Sequence, residues 1–126
     1  MTPFRSLAFL LALALPSSPA AEVRCPETIS EGGKTLALSG ISVYNGTPGG
    51  KEYELAPDGE SKSGKRITQT WKVKDYRDMK VFLRCNYQGT KKALVRDVPE
   101  GITTCSQTFE LNAKHEIAGK SEMSCR

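Results

Sequence analysis

Four cysteines constrain this chain more than any other feature. Cys25, Cys85, Cys105 and Cys125 stand 60, 20 and 20 residues apart. Zinc sites usually need close cysteine pairs, and His115 is the only histidine, so a metal is disfavoured. An even number of cysteines in a small exported domain reads instead as two disulfides. Export is expected from the N-terminus. Arg5 precedes the apolar run Leu7–Leu15, Pro16-Ser17-Ser18-Pro19 breaks it, and Ser18 and Ala20 put small residues at the −3 and −1 positions of a cut. That run is about half the length that a bilayer span needs. Residues 1–20 are therefore read as a signal peptide and 21–126 as a single disulfide-stapled domain. The expected location is the periplasm or the extracellular medium, with no permanent membrane anchor.

The full chain carries a formal charge of +4, and loss of Arg5 with the leader leaves 17 basic against 14 acidic residues. The signs alternate along the chain and form no tail, which speaks for a mixed solvated surface and against nucleic acid as a partner.

Period-two alternation recurs between Gly, Pro, Asn and Asp punctuation, while helical periodicity is nearly absent. Leu36 and Leu38 share one phase and Ile41 and Val43 the other, so Gly40 marks a bulge or bend. Asn45–Gly50 is turn material and Glu52–Leu55 a short returning strand. The polar stretch Ala56–Arg66 reads as a mobile loop. Ile67–Tyr76 alternates, with Ile67, Trp71 and Val73 facing the core. Val81, Leu83, Cys85 and Tyr87 repeat the pattern, followed by strands at Ala93–Val98, Thr103–Leu111 and Glu122–Cys125, with 112–119 a loop or single helical turn. The fold class is all-β: a small antiparallel sandwich or barrel-like meander of six to eight strands. In such a meander the strand at Cys105 pairs with that at Cys125, which leaves Cys25 to bridge to Cys85; the other two connectivities remain open.

Motifs with chemical content fall short. Gly59-Glu60-Ser61-Lys62-Ser63-Gly64-Lys65 matches a phosphate-binding loop only up to the lysine, since Arg66 stands where a hydroxyl should hold magnesium and a strand follows instead of a helix. His115-Glu116 starts like a zinc-protease helix, but Gly119 occupies the second histidine position. Asn45-Gly46-Thr47 is a glycosylation sequon better explained as a turn. No cofactor is implied. The candidate binding surface is the outward face carrying Lys72, Lys74, Phe82 and Arg84, extended by Lys62, Lys65 and Arg66. There an aromatic and an arginine supply the usual interface anchors.

Cys25-Pro26-Glu27-Thr28-Ile29, Val81–Thr90 and Val98-Pro99-Glu100-Gly101 leading to Cys105, with the late Cys125, resemble a family of small, exported, uncharacterised proteins of Gram-negative bacteria. The resemblance implies periplasmic residence and disulfides, and carries no catalytic residues. The leading functional expectation is a non-enzymatic binding or inhibitory module for a periplasmic or secreted protein or an envelope polymer. The alternatives are a small envelope hydrolase using paired carboxylates and a structural component of an envelope assembly. Periplasmic lysozyme inhibitors offer an analogy of fold type, weakened by the +3 charge, because an inhibitor of a basic enzyme should be acidic.

Overall fold

Short alternating segments without helical periodicity can bury apolar surface only by pairing into sheets, and this chain does so. The computed structural model describes residues 22–126, apart from the side chains at 119 and 120; the signal peptide expected over residues 1–20 lies outside them. Nine strands run through the described residues: β1 (Thr28–Glu31), β2 (Lys34–Gly46), β3 (Glu52–Leu55), β4 (Gly59–Ser63), β5 (Arg66–Trp71), β6 (Val81–Tyr87), β7 (Ala93–Asp97), β8 (Cys105–Leu111) and β9 (Ile117–Cys125). One antiparallel sheet has the order β1-β2-β6-β7, with β3 also paired to β2; the other has the order β4-β5-β8-β9. The long β2 gives its first residues to β1 and its last to β3. Together the sheets curl into a half-barrel.

The core lies between the sheets and takes the inward phase of each strand: Val43 from β2, Val81, Leu83 and Cys85 from β6, Trp71 from β5 and Met123 from β9. Polar ends of the large side chains are tied to main chain. The Trp71 indole donates to Leu55 O at 2.9 Å and the Tyr87 hydroxyl to Pro26 O at 2.7 Å. Burial raises the Tyr87 phenol above its ordinary pKa. Gly40 marks a bulge, as its phase switch suggests, for the β2–β6 register slips between Leu38 and Gly40. The Ile41 amide there donates across the core to Gln107 Oε1 at 3.0 Å, and Gln107 Nε2 donates in turn to Gln69 Oε1 at 2.9 Å. A buried amide is tolerated only when paired, so this link fixes the register of one sheet upon the other.

The disulfides follow the meander argument. Cys105 and Cys125 are direct partners in the β8–β9 ladder, with Cα atoms 3.9 Å apart. Cys25 bridges to Cys85 at a Cα separation of 5.7 Å, which staples the N-terminal segment to β6.

Two segments correct the sequence reading. Ala56–Arg66 is not simply a loop: Gly59–Ser63 forms the edge strand β4, joined to β5 by the two-residue turn Gly64-Lys65. Gly64 has φ +63, the conformation that glycine supplies at the first central position of a tight hairpin turn. All five β4 residues are exposed, so the strand lacks the apolar alternation that reveals its neighbours. The Ile67–Tyr76 strand ends early, at Trp71, and Val73–Tyr76 is a short 3₁₀ turn. Asp58 is the physical cause. Its carboxylate accepts the Lys72 amide at 2.6 Å and the Tyr76 hydroxyl at 3.0 Å, drawing the chain out of the ladder. The same carboxylate raises the Tyr76 pKa. With β1 and β4 the strand count reaches nine instead of six to eight.

Candidate binding surface

On β6 the phase opposite the core carries Phe82, Arg84 and Asn86. Phe82 faces Tyr44 of β2 and Arg84 faces Ser42. The Tyr44 and Phe82 rings stack with centroids 5.4 Å apart and planes within 10°. The Arg84 guanidinium lies over them, 4.7 Å from the Tyr44 centroid and 5.6 Å from that of Phe82. It ends in a bidentate pair with Glu52 of β3, Nη2 to Oε2 at 2.9 Å and Nη1 to Oε1. Glu52 Oε2 also accepts the Gly49 amide at 2.9 Å, so one carboxylate closes the β2–β3 turn and anchors the arginine. The Arg84 bond, then the Gly49 amide, holds the Glu52 carboxyl below its ordinary pKa. Beside Arg84 on β7 stands Val95, 45% exposed. Asn86 Nδ2 completes the row by donating to Ser42 Oγ at 3.1 Å.

The expected site is corrected in two respects. Phe82 does lie on the outward face, but it is 0% exposed and cannot serve as a solvent-facing anchor. The stacked Tyr44 ring and the overlying guanidinium account for that burial. Nor do Lys72 and Lys74 join the face. Lys72 follows the end of β5, Lys74 sits in the 3₁₀ turn, and β5 pairs with β4 and β8 rather than β6. Lys62, Lys65 and Arg66 likewise belong to the β4–β5 hairpin of the other sheet. Arg84 alone of the four candidates keeps the expected character, 24% exposed at its side chain. Tyr44, Glu52 and Val95 were missed. Their meeting with Arg84 depends on strand neighbours far apart in sequence, and the only local sign was Tyr44 following the switched phase of Ile41 and Val43.

The result is an aromatic floor, a guanidinium held over it, and a carboxylate that neutralises the charge. Such a group loses little freedom when a partner covers it, because its rotamers are already fixed. As acid–base chemistry it is poorly placed: a general acid needs a carboxyl raised toward neutrality, and Glu52 is shifted the other way. A separate surface notch of about 540 Å³ lies between residues 77–80 and 97–100. Arg77 braces it by donating to Val98 O at 2.8 Å, Pro99 O at 2.6 Å and Ile102 O at 3.1 Å.

No solved structure matches the chain. A curated relative from Azospirillum brasilense, described as an uncharacterized 16.3 kDa protein in the trpG 5′ region, is 26% identical, with 79% of each chain covered. The sequence model of a bacterial family described as the type VI secretion system Tli immunity protein matches residues 33–126. That span contains Val81–Thr90 and Val98–Cys105 and begins after the Cys25–Ile29 stretch. Proteins of this family are non-enzymatic inhibitory binders of a partner protein. With three of the four cysteines and eight of the nine strands inside or reaching into the matched span, the chain belongs to the type VI secretion system Tli immunity protein family.

Proposed function

We propose that this chain is a periplasmic immunity protein that neutralises a lipase effector of the type VI system, the Tle class, by binding it. The family match over residues 33–126 carries this reading. Two disulfides support the compartment, since such bonds persist where the environment is oxidising. The leader ends at Ala20, so the exported protein starts at Ala21. The contact includes the Arg84–Tyr44 face and its exposed neighbour Val95. It is rigid and central on a sheet, and the Arg84–Glu52 pair at its middle is neutral as a unit, as suits the middle of an interface.

The test mixes the oxidised protein with the type VI lipase effector of the same organism and follows phospholipid hydrolysis. Hydrolysis should fall to background near equimolar protein, and activity unaffected by a tenfold excess would sink the assignment. Val95→Glu, which places a charge on the face without touching the core, should weaken inhibition by at least about tenfold. The double change Lys72→Ala/Lys74→Ala should leave inhibition within about twofold. The reverse ranking would move the contact to the other sheet.

A further inference from the structure

β4 closes one side of its sheet, and its outer edge has no strand partner among the described residues. All five of its residues are exposed, so neither face is covered and the edge is open to an incoming strand. In a two-residue hairpin the residues flanking the turn point their amides and carbonyls at each other. Ser63 therefore faces Arg66 of β5, Ser61 faces Thr68, and Glu60 and Lys62 turn their main-chain groups outward.

Glu60 and Lys62 are the two charged side chains of the strand, and their order matters. When the segment Gly59-Glu60-Ser61-Lys62-Ser63 is laid antiparallel against itself about Ser61, Glu60 meets Lys62 of the second copy and Lys62 meets its Glu60. The side chains of both residues lie on one side of the sheet, the side of Gln69 and Ile67, so the opposed charges stand next to each other. Glu60 is already oriented there, accepting Gln69 Nε2 at 3.2 Å. A lysine on an edge strand discourages pairing with an arbitrary strand. A second copy brings the matching carboxylate, and the same charges then select it.

We propose that two copies of this chain associate through β4, antiparallel about Ser61, joining their four-stranded sheets into one of eight. The axis relating them is a two-fold, so each outward-facing Glu60 and Lys62 makes main-chain bonds and one charge pair. This inference does not depend on the immunity reading, which concerns a different sheet.

Sedimentation velocity of the oxidised protein from micromolar to millimolar concentration tests it. The expected result is a monomer passing to a dimer, with the transition moving to higher concentration as salt is raised. Glu60→Lys and Lys62→Glu each set like charges opposite each other twice and should weaken association by at least about tenfold. The double variant Glu60→Lys/Lys62→Glu should restore it, and an equimolar mixture of the two single variants should form a heterodimer. Both positions are exposed, so circular dichroism should show the variants folded. A wild-type protein that stays monomeric to millimolar concentration overturns the proposal. So does a dimer that neither single variant weakens, because its interface then lies elsewhere.

Discussion

Phe82 is held by its neighbours rather than offered to a partner, and that sets what its removal costs. Truncation to alanine empties a site closed by Tyr44 and Arg84 and should destabilise the fold by about 3 kcal/mol. Val95→Ala, at an exposed position, should fall within about 0.5 kcal/mol of the parent. Urea midpoints compare the two, and near-equal values would mean that the aromatic pair is not a packed unit. Glu52 gives the pH counterpart. Its folded pKa is depressed by Arg84 and the Gly49 amide, so its contribution is present above the unfolded carboxylate value and fades as pH falls through the folded one. Between pH 5 and pH 3 the parent should therefore lose more stability than Glu52→Gln does. Parallel stability–pH curves for the two proteins would contradict that.

At the scale of elements, the bulge in β2 and the turn after it are the positions where backbone geometry leaves least choice. Replacing Gln107 with leucine keeps much of the volume but strands the Ile41 amide, a loss of about 1–3 kcal/mol. Gly46 has φ +119, and a Cβ there would stand 2.2 Å from Lys51 O. Gly46→Ala should thus cost more than about 2 kcal/mol, where a solvent-facing alanine elsewhere in a strand costs a few tenths. Thermal unfolding of Gly46→Ala and Gln107→Leu beside the parent would show both effects; an unchanged midpoint for either would mean that the backbone relaxes around the change. Elements were legible in the sequence where one face is buried. Val81, Leu83, Cys85 and Tyr87 announce β6 because alternation is a local consequence of burial. β4 announces nothing, since no residue of it is buried, and the end of β5 at Trp71 depends on Asp58, fourteen residues upstream of Lys72.

For the whole molecule, phase was readable and adjacency was not. Alternation told which side of β6 carried Arg84, but it could not tell that β5, the preceding strand, lies in the other sheet. Of the residues grouped on the candidate face, Phe82 and Arg84 do share one side of β6, the lysines lie elsewhere, and Tyr44 and Glu52 stand beside Arg84 from β2 and β3. The disulfides were legible because hairpin pairing sets Cys105 opposite Cys125 and leaves one pair over. In the chain-entropy picture the bridge closing 60 residues stabilises by about 4 kcal/mol and that closing 20 by about 3. Cys25→Ser/Cys85→Ser should therefore lower the guanidinium midpoint more than Cys105→Ser/Cys125→Ser does, and the opposite order would point to strain or residual structure in the unfolded chain.

Val23 and Cys125 exchange amide hydrogen bonds, each 3.0 Å, so the first and last parts of the described chain meet in one bridge. A ribosome or an export channel delivers a polypeptide in order, and this contact joins residues about a hundred positions apart. The half-barrel therefore cannot be clasped while any of that length is still being threaded. Until Cys125 emerges, both Val23 and Cys105 wait without their partners, and an oxidising catalyst meets Cys25, Cys85 and Cys105 before the fourth thiol arrives. Cys25–Cys85 is then the pair to form early, and Cys105 the thiol open to a wrong exchange. The order in which the thiols can pair is written into which strand comes last.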